Sequence, residues 1–148
     1  AAAIAQTHGL PDLLARVLAG RGVTIEETER YLAPRLRDLL PDPSVLRDLD
    51  AAVARLAAAV ERRETVAIFG DYDVDGACSA ALLAEFLEDW GAKPLIHIPD
   101  RMTEGYGPNV PAVRALAERG ARLLVMVDCG TSGHESVAEA RRLGLDPI

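Results

Sequence analysis

Two hydrophobic rhythms divide the chain. In the first 63 residues the apolar positions recur at helical spacing. Leu10 to Ala19 predicts one helix, stopped by Gly20-Arg-Gly22. Thr24-Ile-Glu-Glu27 has the capping-box pattern, with Thr24 accepting from the third amide and Glu27 reaching back, and predicts a short helix to about Leu32. Pro34 breaks it, and Pro41-Asp-Pro43-Ser44 reads as a turn or linker. The residues before Leu10, His8 among them, read as irregular. A stronger helix is predicted from Asp48 or Asp50 to about Arg63, with Val53, Leu56, Ala57 and Val60 on one face.

From Thr65 the rhythm changes to strands alternating with helices. Strands are predicted at 65–69, 94–98 and 123–127, and helices at 77–90, from about 110 to 119 and at 134–143. Each strand is a short, nearly continuous apolar run, as expected when both faces of a sheet are covered. The pattern predicts an α/β fold, a doubly wound parallel sheet with right-handed crossovers, preceded by a short helical N-terminal arm. The expected division is 1–48 for the arm and 49–148 for the sheet domain. Gly144-Leu-Asp-Pro-Ile148 reads as the opening of a fourth strand, so the sheet is expected to continue in a longer protein.

Composition narrows the picture. With 148 residues, 49% of them apolar and only six aromatic, the core is built mainly from Ala, Val, Leu and Ile. A net charge of −7 argues against a protein that coats nucleic acid through a basic surface, but not against a nuclease whose acids bind metal. Arginines outnumber lysines 15 to 1, a bias that carries no functional reading. Cys78 and Cys129 form no metal or redox spacing and read as reduced, buried small residues. The N-terminus lacks the pattern of a signal peptide and no run is long enough to span a bilayer, so a soluble, cytoplasmic protein is expected, with no membrane partner.

The chemistry concentrates in Phe69-Gly-Asp71-Tyr-Asp73-Val-Asp75-Gly76, three carboxylates at alternate positions just after an apolar strand. Strand-to-helix loops at the carboxyl edge of a parallel sheet are where such folds bind ligands. Three acids this close repel one another unless a hard cation neutralises them. A calcium loop of the EF-hand type is disfavoured: the twelfth position from Asp71, where a bidentate Glu belongs, is Leu82, and the segment follows a strand instead of a helix. A solvated Asp-rich turn is the plainer alternative. Asp128 ends the third strand on the same edge, and if the two strands are neighbours it faces the same crevice. Carboxylates delivered from two strand ends are how two-metal phosphoryl-transfer sites are built.

The loop from Asp100 to Asn109 also follows a strand end. Arg101 is a candidate for bidentate phosphate contact, and Tyr106, between Gly105 and Gly107, for stacking on a base or fixing the loop. The structural alternative is an Arg101–Glu104 ion pair with Tyr106 packed on the surface. His97, alternating between Ile96 and Ile98, reads as a packed or hydrogen-bonded residue, and His134 as a helix-start residue instead of a metal ligand.

Phe-Gly-Asp-Tyr-Asp-Val-Asp-Gly, then Ile-Pro-Asp-Arg-Met-Thr-Glu-Gly-Tyr-Gly, then Val-Asp-Cys-Gly, in this order and behind a helical arm, resembles the RecJ family of bacterial single-strand-specific exonucleases in the DHH phosphoesterase superfamily. The resemblance covers nearly the whole chain. It implies Mn²⁺ or Mg²⁺, two ions in the complete enzyme, and hydrolysis of single-stranded DNA from its 5′ end in recombination and repair. Single-strand-binding protein and a helicase are the partners it implies. It further implies Asp73, Asp75 and Asp128 as metal ligands and Asp71 as a ligand or ligand-orienting acid. The Asp-His-His motif, a further metal-binding Asp and a second domain are expected beyond Ile148, so the chain alone is expected to hold half the metal site and to be nearly inactive. Pro108 and the Thr131-Ser-Gly133 loop depart from the family pattern. Two other readings stay open: a catalytically silent DHH-like scaffold that binds DNA or proteins, and a phosphodiesterase acting on short oligonucleotides or cyclic dinucleotides.

Overall fold

Every residue of Val66–Gly70 (β1) is buried, which a strand achieves only at the centre of a sheet covered on both faces. The computed structural model describes residues 1–148 and shows what covers it. β1 pairs in parallel with Leu95–His97 (β2) on one side and with Leu123–Val127 (β3) on the other. Asp146–Pro147 (β4) pairs in parallel with β3, giving the order β2-β1-β3-β4. Side chains alternate between the faces. Ala67, Phe69 and Leu124 pack with Val110–Glu118 (α7) and His134–Arg142 (α8). Val66, Ile68, Leu123 and Val125 pack with Leu49–Glu61 (α5) and Val74–Asp89 (α6). The expected doubly wound parallel sheet is therefore present, and β3 occupies the predicted residues.

Several local expectations are corrected. The helix predicted from residue 77 begins at Val74, because Asp73 caps it by accepting a hydrogen bond from the Gly76 amide at 3.0 Å. In α5 the fully buried position is Ala59, a small residue that permits close approach to the sheet. Val53 and Ala57, expected on the buried face, are exposed, and with Phe86 and Trp90 they line an apolar groove of about 450 Å³. Arg55 of α5 is bound by Glu64 and Asp146, both at 2.7 Å, which ties the helix to β4. Cys78 is exposed, since α6 turns Ala80, Ala84 and Leu87 inward instead.

Two compact units make up the chain, Ala1–Leu46 and Arg47–Ile148. In the first, Ala2–His8 is a helix (α1) where irregular chain was expected: Ile4 buries against Ala15, Leu18 and Val23, and His8 Nε2 lies 2.7 Å from the Ile25 carbonyl oxygen. Asp12–Gly20 is α2, Thr28–Leu32 is α3 and Leu36–Leu39 is α4. The capping box forms as predicted, with Glu27 N donating to Thr24 Oγ1 and Thr24 N donating to Glu27 Oε2. A 3₁₀ turn at Pro43–Val45, capped by Asp42, fills the expected turn. No helix is long and apolar enough to cross a membrane.

Candidate metal centre

β2 and β3 flank β1 on opposite sides, so the chain changes direction across the sheet at β1. The carboxyl ends of β1 and β3 frame the crevice where such a reversal binds ligands. Gly70 and Val127 are partners on the last rung of that ladder. The next residue of each strand is an acid, Asp71 on one side and Asp128 on the other.

Asp71, Asp73 and Asp128 each present an oxygen within 4.8 Å of the others. Asp71 is only 3% exposed, and its Oδ1 is buried without a hydrogen-bond partner. A carboxylate oxygen removed from water with nothing to compensate it is costly, and a cation is the usual remedy. Asp128 holds a left-handed backbone conformation, φ 59°, which Asp tolerates better than most residues. Desolvation pushes its carboxyl above the usual carboxylate range, and the negative charges of Asp73, Asp75 and Asp71 push it the same way. The set is hard, anionic and oxygen-only, which fits Mg²⁺ or Mn²⁺ and not a soft metal.

Asp75 is not part of this cluster. The early start of α6 places it in the helix's first turn, exposed, although its charge is felt at Asp128. Cys129 lies beside the acids with its Sγ 3.7 Å from the Phe69 carbonyl oxygen, and burial, with Asp71 and Asp128 nearby, raises its thiol to about 11. It is therefore a neutral neighbour.

The loop after β2 is fixed by its own contacts. Glu104 accepts from the Asp100 amide and from Asn109 Nδ2, and its Oε2 lies 2.9 Å from His97 Nε2. These bonds hold the Glu104 carboxyl below its usual range, the Asp100 amide being the largest influence. Glu104 is thus occupied, and Arg101 makes no ion pair with it. The Arg101 guanidinium instead lies 4.2 Å from the centre of the Tyr72 ring. Tyr72 meets Tyr106 edge to face at 6.3 Å, and the Tyr106 hydroxyl donates to the Asp128 carbonyl oxygen at 3.3 Å. Gly105 and Gly107 have φ of 79° and 78°, left-handed turns that free Tyr106 to reach across. His97 packs on Phe69, as a hydrogen-bonded core-edge residue. His134 is exposed and outside the cluster, and the Pro108 carbonyl accepts from Ser136 Oγ. Tyr72 is the site residue that sequence reasoning passed over; its place inside the acid motif was the available signal.

Residues 65–148 match the DHH family, N-terminal domain. A single-stranded-DNA-specific exonuclease RecJ of Bacillus subtilis is 37% identical over 97% of this chain and 18% of its own length. The protein of the same name from Dickeya dadantii is 39% identical over 92% of this chain and 23% of its own. The chain thus spans about a fifth of the length of these relatives. Among solved structures, exonuclease RecJ bound to manganese superposes with a TM-score of 0.66 at 34% identity, over 74% of this chain and 27% of that one. RecJ of Thermus thermophilus in complex with Mn²⁺ superposes at 0.62 and 28% identity, over 94% of this chain and 21% of that one.

Proposed function

The chain belongs to the DHH family, and from that premise we propose that it supplies part of the catalytic site of a divalent-metal-dependent 5′→3′ exonuclease acting on single-stranded DNA. The observation that carries the reading is the buried, unpartnered Asp71 oxygen, clustered with oxygens of Asp73 and Asp128 at the joint carboxyl end of β1 and β3. Relatives 37% and 39% identical to this chain are single-stranded-DNA-specific exonucleases, and related solved structures hold manganese.

Asp71, Asp73 and Asp128 would hold the first ion, and Asp75, exposed in the first turn of α6, would face a second. Bound there, Mn²⁺ or Mg²⁺ would supply an activated water and charge neutralisation at the phosphate. Arg101, free of any carboxylate, would clamp a phosphate oxygen, while Tyr106 with its flanking Gly105 and Gly107 would shape the strand's path beside Asp128. Water can complete the shell of such ions, but the chain spans only about a fifth of the length of its relatives, and alone it is expected to be nearly inactive. On the same premise the activity belongs to recombination and DNA repair in the cytoplasm, with single-strand-binding protein and a helicase as partners.

The test is release of mononucleotides from end-labelled single-stranded DNA by the full-length protein in Mn²⁺, beside an Asp73→Ala control. Digestion from the 5′ end that disappears in the variant supports the reading. An active Asp73→Ala enzyme, or DNA binding without cleavage by the wild type, would sink it.

A further inference from the structure

Arg101 carries a guanidinium with five N–H donors and no carboxylate partner, beside a crevice rich in acids. What holds it is a ring. Its Cζ lies 4.2 Å from the centre of Tyr72, a residue of the β1–α6 loop between Asp71 and Asp73. The acids of its own loop are already engaged: Glu104 by the Asp100 amide, Asn109 and His97, and Asp100 by the Met102 and Thr103 amides. The Tyr72 ring also forms a T-shaped pair with Tyr106, whose hydroxyl reaches the Asp128 carbonyl. Of the three tyrosines, Tyr31 and Tyr106 use their hydroxyls as hydrogen-bond partners, whereas Tyr72 contributes its ring.

From this geometry we propose that Tyr72 is the positioning residue for Arg101, a cation–π platform that fixes the guanidinium beside the acid cluster while leaving its donors free for a substrate phosphate. The assignment rests on the exonuclease reading above. A carboxylate partner would orient Arg101 equally well, but at the cost of occupying its donors and cancelling its charge. An aromatic face does neither, and attracts the cation through its quadrupole. Tyr72 is also rigidly placed. It sits between two acids of the site on a loop whose far end, Gly76, is pressed against the Asp71 backbone. The Arg101 loop is thereby registered to the acid loop by stacking, and to the β3 acid through Tyr106.

The test uses three substitutions in the full-length protein: Tyr72→Leu, Tyr72→Phe and Arg101→Ala. Loss of an exposed cation–π contact corresponds to about a two- to fivefold effect. Tyr72→Leu is therefore expected to raise KM for single-stranded DNA by about that factor with kcat nearly unchanged. Tyr72→Phe, which keeps the ring, restores the wild-type KM. In an Arg101→Ala background Tyr72→Leu has no further effect on KM. In proton NMR of this chain, the Arg101 side-chain methylenes are shifted upfield by the ring current, and the shift vanishes in Tyr72→Leu but survives in Tyr72→Phe. An unshifted Arg101 in the wild type, a Tyr72→Leu enzyme with unchanged KM, or additive effects with Arg101→Ala each overturn the role while leaving the exonuclease intact. An inactive wild type with the ring-current shift present overturns the exonuclease reading, and the role with it.

Discussion

A Cβ added to Gly76 would lie 2.5 Å from both the amide nitrogen and the carbonyl oxygen of Asp71. The first turn of α6 is thus seated on the backbone of the acid that ends β1. This contact folds the loop tightly enough to bring Asp73 to the helix cap and Asp71 into the crevice. The Gly76 amide also donates to Asp73, so one glycine sets the positions of two acids.

Gly76→Ala should therefore act on stability and site together. The methyl meets backbone, which cannot rotate aside, and overpacking of this kind costs about 1–3 kcal/mol. Urea unfolding should show a lower midpoint with little change in slope. An unchanged midpoint, together with unchanged metal affinity, would contradict the docking.

Metal binding should stabilise the fold through the acid cluster. An ion that binds only the native state contributes about 2.7 kcal/mol at 100 times its Kd, so Mn²⁺ should raise the melting temperature by several degrees and EDTA should reverse it. Asp128→Asn suits the left-handed backbone at this position. It removes the charge that Asp73, Asp75 and Asp71 oppose. It should melt higher than the wild type in EDTA and lose most of the Mn²⁺ shift. A wild-type-sized Mn²⁺ shift in this variant would exclude Asp128 as a ligand.

The centre of the sheet was legible in the sequence because β1 and β3 are nearly unbroken apolar runs, whereas β2 and β4 are short and carry polar residues. The adjacency of β1 and β3 was not written locally, and it is what turns Asp71 and Asp128 from two loop acids into one site. The start of α6 was read three residues late because Asp73 looked like one more loop acid and not a cap. Ala2–His8 carries a weak local signal, and its helix depends on Ile4 burying in a core made by α2 and Val23. In α5 the apolar stripe is wider than the contact it makes, so periodicity pointed to Val53 while packing selected Ala59. The place of Tyr72 inside the acid motif marks it as a site residue, but its pairing with Arg101, on a loop distant in sequence, is not written locally.

Glu104 is the internal brace of the Arg101 loop. Its carboxylate accepts from the Asp100 amide and Asn109 and meets His97. Hydrogen bonds to charged groups contribute about 1.5–3 kcal/mol when shielded, and partial exposure of this side chain, 28%, places the expected effect at the lower end. Glu104→Ala should leave the sheet's amide protection unchanged while residues 100–107 exchange faster and are cut more readily by protease. Equal exchange in that loop would show that the brace is dispensable.

Acid stability offers a separate check on the α7–α8 face. Glu139 on α8 is held by Arg114 Nε of α7 at 2.6 Å and by Arg142 Nε at 2.7 Å. The Arg142 bond, followed by that from Arg114, depresses its carboxyl from 4.5 to about 2. A carboxylate whose native pKa is depressed contributes stability that is fully present above its unfolded value and is lost as pH falls through the native one. For Glu139 the loss should therefore fall between about pH 4.5 and 2. Glu139→Gln keeps the shape and removes the titration. Its stability should lie below the wild type at pH 7, and the two curves should converge as the pH approaches 2. Parallel curves over that window, with a constant gap, would mean that the pair acts by packing and not by charge.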